Sequence, residues 1–132
     1  MRLKGKSAIV TGAASGIGRA IAKKFATEGA HLVTADIDGS TAETVAEEIR
    51  ADGGTAHSIA TDITKRGDVY AMTDTAIDYF GKVDVLVNNA GSRIVKPILD
   101  HSEDDWQRML DVNLTGHLHC CQAVLPHMLA AG

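Results

Sequence analysis

The sequence predicts an α/β fold, a doubly wound parallel sheet with helices on both faces. Three observations predict it. Four short apolar runs alternate with segments of helical periodicity. A glycine cluster, Thr11–Gly18 (TGAASGIG), sits where the first run gives way to the first helical segment. Polar residues then recur directly after every run. Right-handed crossovers leave a doubly wound sheet as the simplest topology for such a chain.

The first strand is predicted at Ser7–Val10. Ile17, Ala20, Ile21 and Phe25 follow at helical spacing, and Gly29 closes that helix. A second strand covers His31–Ala35. Asp38 or Ser40 caps the next helix, whose inner face is Ala42, Val45, Ala46 and Ile49. Asp52-Gly53-Gly54 ends it, and Thr55–Ala60 is the third strand. Lys65–Phe80 reads as a helix stopped by Gly81, and Val83–Val87 as the fourth strand. Asn88–Gly91 is a loop. Ser102 then caps one long helix from Glu103 to Ala130, with Trp106, Met109, Leu110, Leu114, Leu118, Cys121, Val124, Leu125 and Met128 as its apolar positions. Trp106 and Met109 read as core, and Pro126 is expected to kink the helix near its end. The fold is expected to stop after the fourth strand and this helix, giving one domain over residues 1–132.

Composition narrows the function. Apolar residues make up 45% and charged residues 23%, as in a globular domain. A net charge of −4 argues against nucleic-acid or anionic-membrane partners. No apolar run approaches the length of a membrane span. Arg2, Lys4 and Lys6 precede an apolar stretch, but that stretch is short and merges into the glycine cluster, so no signal peptide is expected. The two cysteines are adjacent, Cys120 and Cys121, and helical neighbours point about 100° apart. They cannot bridge each other without distortion, which suits reduced thiols and a cytoplasmic location.

The candidate site lies at the carboxyl ends of the strands. Strand, glycine turn and helix together bring a helix N-terminus, with its free N–H groups, next to a bound phosphate. Gly12 allows the sharp turn, Gly16 a close ligand approach, and Gly18 tight helix–strand packing. The spacing is G-x-x-x-G-x-G, and alone it fits any strand-to-helix turn. Asp36 after strand two, Asp62 after strand three and Asn88–Gly91 after strand four join it on the same rim. Asp36 suits a pair of hydroxyl donors, because an ionised carboxylate only accepts. It lies close to the ~20-residue offset of a ribose-binding acid. No Arg or Lys stands at Ser15 or Ile37 to meet a 2′-phosphate, although Arg19 is near. Asp62 also suits an N-cap for the following helix, and Asn88 a structural role in its turn.

These segments resemble the short-chain dehydrogenase/reductase family. The match covers TGAASGIG at 11–18, Asp36, Asp62-Ile63, NNAG at 88–91 and DVNLTG at 111–116. The resemblance implies a Rossmann-type fold and NAD as cofactor. It implies that Ser15 and Ile17 contact the pyrophosphate and Asp36 the adenosine ribose. Asp62 and Ile63 would lie beside the adenine. Asn89, Ala90 and Gly91 would line the adenosine and nicotinamide-ribose side. Asn113 matches the active-site asparagine, which in the family interrupts a helix and holds a water in a proton relay. The implied activity is alcohol–carbonyl hydride transfer, with a small alcohol or ketone as substrate. The last helix is implied to take part in a homo-oligomer, or the chain to meet a complementing half.

One departure is large. The family's proton donor is a tyrosine with a lysine four residues on and a serine upstream. Here Tyr70 is followed at that distance by Asp74, and Tyr79 by Val83. The chain therefore reads as the cofactor-binding half without its own turnover. The alternatives are a non-catalytic dinucleotide-binding or interaction module, or half of a split enzyme. His117, one turn beyond Asn113, is the one side chain placed to substitute as acid or base. Arg93 stands where an apolar residue is commoner, and reads as a surface arginine. His117, His119, Cys120, Cys121 and His127 lack metal-ligand spacing, and no metal is expected.

Overall fold

A computed structural model describes all residues, Met1–Gly132. Its four strands are β1 (Ser7–Thr11), β2 (His31–Asp36), β3 (Thr55–Ala60) and β4 (Val85–Val87). They form one sheet in the order β3-β2-β1-β4. Every pairing is parallel. The helices between them are α1 (Gly16–Thr27), α2 (Gly39–Ala51) and α3 (Arg66–Phe80). After β4 come a 3-10 turn (Ile98–Asp100), α4 (Glu103–Leu110), a π-helical turn (Asp111–Thr115) and α5 (Gly116–Ala130).

Strand alternation sends neighbouring side chains to opposite faces. Ala8, Val10, Leu32 and Ala56 meet Ala22, Val45, Ala46 and Ile49 of α1 and α2 in one core. Ile9, Val33 and Ala35 meet Val69, Met72, Ala76, Cys120, Ala123 and Val124 of α3 and α5 in the other. Both faces are covered, so β1 and β2 are almost wholly buried. Asp38 caps α2 by accepting the Thr41 N–H at 3.0 Å, so the capping residue is Asp38, not Ser40.

Three expectations need correction. The fourth strand begins at Val85, not Val83. Asp84 replaces part of the ladder: its carboxylate accepts the Ser7 N–H at 2.8 Å, while its own N–H donates to the Ser7 carbonyl at 2.9 Å. The long helix is not continuous. The bond register slips at Asp111–Thr115, where the Gly116 N–H donates to the Asp111 carbonyl five residues back. This is the helix interruption at Asn113 that the family resemblance implied. Trp106 is not core: α4 buries no residue, and Trp106 is 62% exposed. Of the two helices after β4, α5 is the one that packs against the sheet; on α4, Met109 and Leu110 are half-buried and Trp106 is left uncovered. Along α5, Leu118 and Leu125 also stay largely exposed, while Cys120, Ala123 and Val124 take the buried face. The helix runs on through Pro126 to Ala130.

Candidate functional site

The glycine turn is built as its sequence requires. Gly12 and Gly16 take positive φ, 66° and 54°, which L side chains rarely adopt. Nothing lies within 4 Å of a Cβ built on Gly16, so its outer side faces open space. A Cβ on Gly18 would overlap the Gly12 carbonyl oxygen. Ser15 leads into α1 with extended backbone and no side-chain capping bond. No acidic residue occupies the first turn of α1, so its N–H groups and dipole are uncompensated.

Asp36, at the end of β2, reaches back to this turn. Its Oδ2 accepts the Ala14 N–H at 3.0 Å, and its Oδ1 accepts the Asp38 N–H at 3.0 Å. One carboxylate thereby fixes both the glycine turn and the approach to α2. Asp62 is not a helix cap. Its Oδ1 accepts the Thr64 N–H at 3.0 Å and the Thr64 hydroxyl at 2.7 Å in a local turn. The helix starts later, at Arg66. The Thr64 hydroxyl, with smaller help from the Thr64 N–H and from Lys65 and Arg108, holds the Asp62 carboxyl below its ordinary range against a partial burial cost.

The asparagine loop is pinned from beneath. Asn89 donates its side-chain amide to the carbonyls of Thr11 at 3.1 Å and Gly12 at 3.2 Å. The Thr11 hydroxyl accepts the N–H groups of Asn89 and Ala90, at 3.1 and 3.0 Å. Asn88 plays the structural part open to it, donating to the Cys121 sulfur at 3.3 Å. Asn113 binds Ser92 through both ends of its amide.

Two cavities in this crevice gather the predicted residues. The narrower, about 220 Å³, is lined by Gly12, Asp36, Asp62, Ile63, Ala90 and Gly91, among others. The wider, about 790 Å³, is lined by Ser15, Gly16, Ile17, Asn89 and Asn113, and shares Gly12, Asp36, Ala90 and Gly91 with the first. Gly18 alone among them lines neither; it is buried under the turn.

Three contributors escaped the sequence reading, Thr11, His119 and Arg108, and His117 takes a structural part that the sequence did not assign to it. Thr11 organises the asparagine loop. His117 Nε2 donates to the Ala90 carbonyl at 2.7 Å, and His119 Nδ1 to the Ile63 carbonyl at 2.8 Å. A carbonyl only accepts, so each of these ring nitrogens carries the proton. The His117 ring therefore supports the loop. Its place one turn from Asn113 was the signal. Arg108 lines the narrower cavity one helical turn before Val112, without a hydrogen bond or ion pair of its own. The cysteines are free thiols, and burial, with a smaller share from Cys121, pushes Cys120 up to about 11. That is the reverse of what a nucleophile needs.

Fold and crevice define a parallel α/β protein whose glycine turn, acidic strand end and asparagine loop converge on one groove. The chain belongs to the short chain dehydrogenase family, whose profile matches residues 6–132. It is 43% identical over 131 residues to the D-threitol dehydrogenase of Mycolicibacterium smegmatis, covering 99% of this chain and 50% of that protein. It is 44% identical over 128 residues to the 7alpha-hydroxysteroid dehydrogenase of Escherichia coli, covering 97% of this chain and 50% of that one. A solved structure of 7alpha-hydroxysteroid dehydrogenase, complexed with NADH and 7-oxo glycochenodeoxycholic acid, superposes with a TM-score of 0.94 at 44% identity. That superposition covers 99% of this chain and 51% of the solved one. The chain thus spans about half the length of the curated relatives it matches. No helix is long and apolar enough to cross a membrane.

Proposed function

We propose that this chain is the dinucleotide-binding part of an NAD(H)-dependent oxidoreductase that moves hydride between an alcohol and a carbonyl compound. The observation that carries the reading is the Asp36 carboxylate beside the glycine turn. Each of its oxygens accepts one backbone N–H and keeps lone pairs for the two adenosine ribose hydroxyls. The same charge repels a 2′-phosphate. Arg19, the nearby cation that would offset it, is tied to Glu48 at 2.6 and 2.8 Å. The NADH-bound relative supports the same cofactor class.

The residues present suit such a cofactor: an open glycine cradle at Gly16, an uncompensated helix N-terminus and a carboxylate at the far end. Ser15, Gly16 and Ile17 would hold the pyrophosphate. Asp62 and Ile63 would border the adenine, and Asn89–Gly91 the remaining ribose side. When bound, the nicotinamide supplies the hydride donor or acceptor. Asn113 spends its side chain on Ser92, so the main chain of the widened helical turn would be what holds a water there. No tyrosine–lysine pair at the family's spacing occurs in these residues, and His117 is committed to Ala90. Proton transfer to substrate is therefore assigned to residues outside these 132. The setting would be cytoplasmic, with a second copy or a complementing half meeting α5.

Fluorescence titration of the purified chain with NADH and NADPH tests the reading. NADH is expected to bind more tightly, with no turnover on a panel of alcohols and ketones. Equal or tighter NADPH binding overturns the cofactor assignment. Turnover abolished by His117→Ala overturns the assignment of chemistry elsewhere.

A further inference from the structure

Arg93, singled out in the sequence, is used by neither the fold nor the cofactor. It lies on the loop between β4 and α4 and lines the wider cavity. Its side chain makes no hydrogen bond or ion pair, and it is exposed. The other cation of that loop, Lys96, is neutralised by Asp105 at 2.6 Å. The wider cavity has one carboxylate in its lining, Asp36, and that group is held by the N–H groups of Ala14 and Asp38.

Position along the groove decides what Arg93 faces. Asp62, Ile63 and Arg108 line only the narrower cavity; Ser15, Ile17, Asn113 and Arg93 line only the wider. Arg93 therefore shares its cavity with the glycine turn and Asn113, while Asp62 and Ile63, the residues that would border the adenine, lie outside it. The backbone at this end is fixed, because the neighbouring Ser92 is clamped through both its N–H and its carbonyl by Asn113. Arg93 thus projects from a fixed point beside the Asn113–Ser92 pair.

An unpaired guanidinium at the rim of a cavity attracts an anion and can bind a carboxylate or phosphate through two parallel N–H donors. We propose that Arg93 selects substrates carrying an anionic group, a carboxylate or phosphate, near the alcohol or carbonyl that reacts. This rests on the cofactor reading above, which sets where the nicotinamide end lies. The pyrophosphate of the cofactor is the competing anion, and the test separates the two.

Pyruvate and its neutral counterpart methyl pyruvate are titrated into the NADH-saturated chain. Bound NADH fluorescence and the Arg93 side-chain 15N–H resonance, assigned by its loss in Arg93→Ala, are followed. Dihydroxyacetone phosphate and dihydroxyacetone form the phosphate pair. At least one anion is expected to shift that resonance and its neutral partner not to. Arg93→Ala should weaken the anion by about tenfold or more, the size of a charged hydrogen bond, and Arg93→Lys should retain part of it. NADH affinity should stay the same in Arg93→Ala. Equal binding of charged and neutral probes, no anion binding, or no effect of Arg93→Ala overturns the proposal. A fall in NADH affinity in that variant assigns the guanidinium to the pyrophosphate and also overturns it. If NADH itself fails to bind, the cofactor reading falls and this inference with it; if NADH binds and the anions do not, only this inference falls.

Discussion

Asn113 and Ser92 are joined by two hydrogen bonds across the crevice. The Ser92 N–H donates to Asn113 Oδ1 at 2.9 Å, and Asn113 Nδ2 donates to the Ser92 carbonyl at 2.6 Å. The pair ties the π-helical turn to the asparagine loop, two segments from different ends of β4's connection. An amide is the group that can serve both bonds, since it carries a donor and an acceptor.

Asn113→Asp keeps the shape but loses the donor, and sets a carboxylate against the Ser92 carbonyl. It is expected to cost about 1–2 kcal/mol of stability, the range for losing one bond and leaving an acceptor facing another. Urea unfolding measures this. A variant as stable as the parent would show that the clamp is not holding the loop.

His117→Ala removes the donor that the Ala90 carbonyl uses. The expected result is several-fold weaker NADH binding with the helix content of α5 retained. His117→Gln, which can still donate, should recover part of the affinity. Titration alongside circular dichroism distinguishes loss of loop support from unfolding.

Asp36→Ala is expected to erase about 1–3 kcal/mol of preference for NADH over NADPH, by removing hydrogen bonds to a charged acceptor. It also frees the Ala14 N–H, so NADH affinity should fall while NADPH affinity holds or rises. Parallel titrations of both cofactors check the two directions separately.

Glu28 gives the chain an acid-sensitive contact. The Lys24 ammonium at 2.9 Å and then the Arg2 N–H at 3.0 Å hold its carboxyl down from 4.5 to about 2. A lowered folded-state value means the contribution is complete above the unfolded value of about 4.5 and is lost as pH falls toward about 2. Glu28→Gln should therefore be less stable than the parent at neutral pH, and the gap should close as pH falls through about 2. Because the site is solvent-screened, the gap should be small and should shrink further in salt. Denaturant melts across that pH range test the convergence.

Self-association is expected through the uncovered apolar surface. Leu118 and Leu125 are 50% and 45% exposed on α5, and β4 pairs with β1 alone. An apolar helix face and an open strand edge both invite a second chain. Leu118→Lys with Leu125→Lys should shift the sedimentation profile toward monomer. An unchanged profile, or a monomeric parent, would place the contact elsewhere or remove it.

The glycine turn, Asp36 and the NNAG loop were legible because each is a local signal at a strand end. Strand alternation and helical spacing put their apolar residues inside, and the rim residues follow from where the strands stop. The α5 histidines were not legible. A histidine in the first turn of an apolar helix looks the same whether it supports a loop or faces solvent, and the partners of these two, Ala90 and Ile63, are 27 and 56 residues away.

By itself the sequence determined the order of strands and helices, the parallel sheet and the rim on which the polar residues gather. These depend on period and on turn chemistry, which act within a few residues. Helical period did not show that the helix from Glu103 breaks register at Asp111–Thr115, which the DVNLTG resemblance alone implied, and only the tertiary structure decided that Trp106 stays outside the core. No proline marks that break, and Gly116 follows it. It coincides with long-range demands: Asn113 must meet Ser92, and Gly116 lies so near Ile63 that a Cβ there would come within 2.6 Å of that side chain. Local propensity favours an unbroken helix over these residues, and the packing of distant segments overrides it.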